Sequence, residues 1–199
     1  MLEIGLDIGF LLFLLAFVAV LTLYMTLRVF LEWNSSKQAN MYAIMSGGIL
    51  PLGLIGAYFF IISVYGQIYQ PLPAPLNNLV FDPLISLSLV LIGFVWSIRA
   101  NLKMEYVGLL ALLLGAITMY YGYLGYTAGI TQSASQFFFI YLVFGITGIL
   151  AFPVTLIIDF KPGKVSKHPQ IWGALLALFC VFLILGILMA LLGAVFNEA

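Results

Sequence analysis

The sequence predicts an all-α polytopic membrane protein: six transmembrane helices in three tandem hairpins, with both termini outside the cytoplasm. Three observations predict it. First, 64% of the 199 residues are apolar and 7% are charged, against about 45–50% and roughly 25% in an ordinary soluble domain. A folded chain of this length still exposes much of its surface, so lipid must cover a surface this apolar. Second, six apolar runs recur along the chain, each near the roughly 20 residues that cross about 30 Å of hydrocarbon. Third, all seven Lys and Arg residues fall on one side of that six-span layout. Basic residues resist translocation, which marks that side as cytoplasmic.

The whole of 1–199 reads as a single membrane domain, with spans at roughly 8–30, 42–67, 83–100, 106–126, 137–158 and 171–196. The acidic start, with Glu3 and Asp7 in place of a basic region, is not read as a cleavable signal. Span two carries Gly47, Gly48, Pro51, Gly53 and Gly56, which predicts a thin helix kinked at Pro51. Asp82-Pro83 resembles an N-cap followed by proline at the first helical position, so span three is expected to begin there. The cytoplasmic loops are those near 31–41, 99–105 and 159–170, holding Arg28, Lys37, Arg99, Lys103, Lys161, Lys164 and Lys167 in or beside them. Trp33, Tyr42, Trp96 and Tyr106 fall near that face, and Tyr65, Tyr69, Tyr123 and Tyr126 near the other, as interfacial belts require. Arg28 and Arg99 in two of the basic turns, and Gly56-Ala57 and Gly115-Ala116 beyond them, hint at a threefold repeat.

Several functions are excluded by inventory. Zero net charge leaves no broad basic surface for nucleic acid. With one cysteine, Cys180, and one histidine, His168, a single chain cannot assemble a haem held by two histidines or a zinc site of three protein ligands, and no cofactor or metal is expected. The carboxylates fall at span ends: Glu3, Asp7, Asp82 and Glu198 outside, Glu32, Glu105 and Asp159 inside. They are expected to cap helices or to pair locally, as Asp159 with Lys161 and Lys103 with Glu105. Without a mid-membrane carboxylate the chain is a poor candidate for a proton pump, a sodium-coupled transporter or a carboxylate-based intramembrane enzyme. A catalytic role is not expected.

What remains inside is hydroxyls, glycines and aromatic rings. Gly47, Gly48, Gly53, Gly56 and Gly145 are expected to pack helices closely. Tyr141, Phe144 and Gly148 recur at i, i+3 and i+7 on span five, which places them on one helix face. Such a face suits either packing or a narrow pore for a small uncharged solute. Tyr120, Tyr121 and Tyr123 read as an interfacial belt, with quinone binding as the alternative.

Three stretches resemble the amide/urea channel family, which includes acid-activated urea channels and short-chain amide transporters. They are 36–41 leading to Gly47-Gly48, then 91–96, then 141–145 with Ala151-Phe152 and the turn at 161–164. The chain also resembles a group of small archaeal membrane proteins of unknown function. The channel resemblance implies a six-helix protomer with its own pore, assembled with like protomers into a hexamer. It implies constrictions at Tyr141 and Phe144 and at Ile92 and Trp96, with Gly148 standing where the family carries a further tryptophan. The last span has no match for the family's carboxylate, and the outer loops lack its gating histidines, so acid gating is not expected. The expected function is passive passage of a small neutral solute such as urea, a short amide or ammonia through the cell membrane. The alternative is a non-catalytic subunit or scaffold of a larger complex.

Overall fold

A computed structural model describes residues 8–33, 38–69, 76–100, 102–129, 134–159 and 169–197. Six long helices account for nearly all of them: α1 (Ile8–Trp33), α2 (Gln38–Tyr69), α3 (Leu76–Arg99), α4 (Glu105–Thr127), α5 (Ala134–Asp159) and α6 (Pro169–Asn197). Each contains a stretch of 20 to 25 residues long and apolar enough to cross a membrane. No strand occurs among the described residues.

Every helix packs on its neighbours in sequence, and α6 closes back on α1. The bundle is therefore a ring. The most extensive interfaces are α4/α5, α2/α3 and α1/α6, while α1/α2, α3/α4 and α5/α6 are looser. The expected hairpins exist, but each helix packs more tightly on the neighbour outside its hairpin than on the one within it.

Packing follows the heptad. Leu11, Val18 and Met25 on α1, Leu84, Leu91 and Ile98 on α3, and Val143, Leu150 and Ile157 on α5 are all buried. A seven-residue spacing keeps one seam of a helix against its neighbours over many turns. The opposite stripe of α1, with Phe10, Phe13, Phe17, Val20, Tyr24 and Leu27, is exposed. Lipid is as apolar as these side chains, so sequestration from water does not drive the helices together. Close van der Waals contact does.

That contact is closest between α4 and α5. A methyl group built on Gly115 would stand 2.6 Å from the Gly145 carbonyl oxygen and 3.0 Å from the Ile149 nitrogen. One built on Gly148 would stand 2.9 Å from the Ala111 carbonyl oxygen. The two backbones touch, and side chains cannot be interposed. Gly108, Gly115 and Gly122, at heptad spacing on α4, all face α5. Of the glycines expected to pack helices, Gly48 meets Met25, Gly53 meets Val95, Gly56 meets Leu91 and the Ser88 carbonyl, and Gly145 meets Met119 and Gly115. Gly47 has no neighbour within 4 Å and packs against nothing described.

The α4 ends are individually satisfied. Asp159, at the last residue of α5, accepts a 2.6 Å hydrogen bond from the Glu105 backbone N–H. It thereby brings a carboxylate to the positive N-terminal end of α4. The expected partner Lys161 lies outside the described residues. Lys103 and Glu105 do pair, at 3.4 Å, with the lysine side chain largely exposed, so that pair contributes little. At the other end Gly129, at φ +60°, turns the chain out of α4. Asp159→Ala should lower stability by about 1 kcal/mol, the usual worth of an N-terminal cap, and Asp159→Asn by less. Thermal unfolding in detergent measures both.

The structure also moves one boundary. The third helix begins at Leu76, not at Pro83, and Pro83 lies inside it. Asp82 is thus a helix-interior residue rather than an N-cap. Trp33, Tyr42, Tyr69, His168 and the carboxylates Glu3, Asp7, Glu32 and Glu198 lie outside the described residues or side chains. Trp96 and Tyr106 near one end, and Tyr65, Tyr123 and Tyr126 near the other, are exposed as the belts require.

Candidate functional site: a carboxylate within the bundle

With α3 starting at Leu76, Asp82 stands six residues along it, about 9 Å from the helix start at ~1.5 Å per residue. Its side chain is only partly exposed. Both carboxylate oxygens are engaged by neutral donors from neighbouring helices. Gln67 Nε2 on α2 donates to Oδ1 at 2.8 Å. The Tyr121 hydroxyl on α4 donates to Oδ2 at 2.7 Å. Three consecutive helices of the ring therefore meet at one carboxylate. Each of the two bonds is charge-assisted and roughly twice as strong as a neutral one.

A fourth helix joins through proline chemistry. Pro83 has no N–H, so the carbonyl four residues earlier, that of Leu79, loses its helical partner. The Tyr141 hydroxyl of α5 donates to that carbonyl. This bond lets α3 pass through Pro83 where the sequence alone implies a helix start. Tyr141→Phe should leave the Leu79 carbonyl orphaned, at a cost of about 1–3 kcal/mol. In a Pro83→Ala background the restored N–H takes over that carbonyl, and the same substitution should cost much less. A double-mutant cycle on thermal stability reads the difference.

On α2, Ser63 lies one turn from Gln67 on the same face. Its hydroxyl is fully buried and has no hydrogen-bond partner among the described residues. Toward the basic end of the bundle the polar cluster gives way to an apolar core. Leu52 and Phe59 on α2 and Leu84 and Leu91 on α3 belong to it, all at or below 7% exposure. Among the described residues no three His, Cys, Asp or Glu side chains group as metal ligands would.

The residues expected at pore constrictions are dispersed. Tyr141 and Gly148 face α4, where Tyr141 packs on Gly122 and Gly148 on Gly115. Phe144 is turned toward Gly186 on α6. Tyr141, Phe144 and Gly148 therefore do not share one partner face: i and i+3 differ by about 60° around a helix, enough to reach different neighbours. Ile92 and Trp96 line a groove between α3 and α4 that opens outward, and Trp96 is 66% exposed. The polar cluster escaped the sequence reading. Asp82-Pro83 has the pattern of a helix start, and Tyr121 stands in sequence beside the exposed Tyr120 and Tyr123. A signal was available in Gln67 and Asp82, two polar residues set one turn inside apolar runs.

A six-helix ring with lipid-facing stripes and an internal polar cluster defines a multi-pass integral membrane protein. The chain belongs to the DUF981 family, described as proteins of unknown function, whose model matches residues 6–198. Comparison with curated proteins and with solved structures gives no match.

Proposed function

We propose that this protein passes a small uncharged polar solute, of the urea, short-amide or ammonia class, across the cell membrane. The cluster of Asp82, Gln67 and Tyr121 forms its outer receiving point. The basic loops lie in the cytoplasm on this reading, which puts Asp82 toward the outside. The observation that carries it is a carboxylate inside the bundle that accepts from two neutral donors, Gln67 and Tyr121. Intramembrane carboxylates are expensive and are a mark of substrate pathways. Acidic and amide acceptors side by side suit a solute rich in N–H donors. The unpartnered Ser63 hydroxyl offers a further contact one turn inward. Beyond it the apolar residues Phe59, Leu84 and Leu91 would act as a hydrophobic constriction. One conduit per protomer within a homo-oligomer belongs to the same reading.

Stopped-flow shrinkage of proteoliposomes with urea, formamide, acetamide and ammonia tests it. Wild-type vesicles should pass at least one of these faster than empty vesicles, and Tyr121→Phe should slow that solute. Permeability equal to empty vesicles across the panel would remove the proposal. The packed apolar core favours a second reading, a non-catalytic subunit or scaffold. Stoichiometric partner chains after gentle purification from native membranes would favour it, whereas a clean homo-oligomer argues against it.

A further inference from the structure

We propose that the outward groove between α3 and α4 is a binding site for one anionic phospholipid. The groove is open on its outer side, offers about 370 Å³, and is lined by Leu89, Ile92, Gly93, Trp96, Tyr106 and Leu110. It occupies one of the looser interfaces of the ring. Gly93 keeps it open: a methyl group there would lie 3.9 Å from the Leu110 side chain and 4.0 Å from that of Val107, so nothing crowds the floor.

The chemistry is graded along its length. Leu89, Ile92 and Leu110 make the part farther from the turn apolar. Trp96 and Tyr106, 66% and 67% exposed, flank the end nearest the turn between the helices. Such rings sit at the level of lipid headgroups. Past them come two exposed cations, Arg99 in the last turn of α3 and Lys103 in the turn itself. Glu105 pairs with Lys103 at 3.4 Å in a solvent-accessible, weak pair, and the Asp159 carboxylate is held by the Glu105 N–H at 2.6 Å, so Arg99 is the cation with no carboxylate paired to it among the described residues. Beside them the Ala100 N–H donates to the Trp96 carbonyl at 2.9 Å and the Leu102 N–H to the Ser97 carbonyl at 2.8 Å.

An acyl chain ending in a negatively charged phosphate presents the same order of chemistry as the groove. A second copy of this chain does not fit as well. A helix with side chains is about 10–12 Å across and seats against small residues, whereas this groove is rimmed by tryptophan and tyrosine. The site is distinct from the Asp82 cluster.

The test uses the full chain in nanodiscs of phosphatidylcholine and phosphatidylglycerol in equal parts, followed by native mass spectrometry of the released protein. Wild type should retain phosphatidylglycerol in preference to phosphatidylcholine. Arg99→Gln and Lys103→Gln should each reduce that preference by about fivefold, the effect of one basic residue at an anionic surface. Gly93→Phe, which fills the floor without touching charge, should lower retention of both lipids. Unchanged thermal transitions confirm that the charge variants fold, and they decide the matter even if Gly93→Phe does not. Equal retention of the two lipids by wild type, or an unchanged preference in the charge variants, overturns the proposal. So does disulfide cross-linking of two copies through Leu89→Cys.

Discussion

Gly115→Leu is expected to abolish recovery of folded protein from detergent. The methyl position at Gly115 already falls 2.6 Å from a backbone oxygen and 3.0 Å from a backbone nitrogen of α5. Neither atom is the tip of a flexible side chain, so accommodation requires the two helices to move apart along their most extensive interface. Overpacking by single methylenes in a well-packed core costs about 1–3 kcal/mol, and a whole isobutyl group exceeds that. Gly115→Ala should give a folded protein with a markedly lower unfolding temperature. Gly173→Ala, on α6 with nothing within 4 Å of its methyl position, should be neutral. Size-exclusion profiles and thermal unfolding of the three variants check this. Equal stability of Gly115→Ala and Gly173→Ala would refute the direct backbone contact.

Asp82→Ala should have the second largest effect, on stability and on transport alike. Removing the carboxylate leaves the Gln67 amide and the Tyr121 hydroxyl without their acceptor. Each orphaned group costs about 1–3 kcal/mol when buried, and partial exposure here places the pair toward the lower end. Asp82→Asn retains one acceptor oxygen and should lose less. Tyr121→Phe removes one donor, keeps the aromatic packing and should fold well. On the proposed function, solute flux falls in Asp82→Ala to that of empty vesicles and is intermediate in Tyr121→Phe. Full flux in a folded Asp82→Ala protein would separate the cluster from transport.

The count of helices was legible because hydrocarbon thickness dictates run length, and six runs satisfy it. The start of α3 was not. Asp82-Pro83 has the local grammar of a helix beginning, and local grammar was overruled by distant residues. Tyr141, 62 positions away from Leu79, supplies the hydrogen bond that proline removes. Gln67 and Tyr121, 15 and 39 positions from Asp82, satisfy the carboxylate. No short window of sequence holds those partners. The same applies to Asp159, whose role at α4 depends on a contact across 54 positions. Close packing at Gly145 and Gly56 was readable from composition, because small residues in apolar helices have few other uses. Which helix each one meets was not, because that depends on rotation about the helix axis. Phe144 shows how far a 60° turn can carry a side chain from its expected company.

The seating of α6 against α1 has a consequence for biogenesis. During synthesis the first helix leaves the ribosome long before the last, so through most of translation its α6-facing flank is bare within the bilayer. Gly193, whose methyl position lies 3.0 Å from the Leu12 side chain, belongs to the segment that finally covers it. Until that segment is inserted, an unfinished chain presents to the quality-control machinery the same surface that the completed circle conceals.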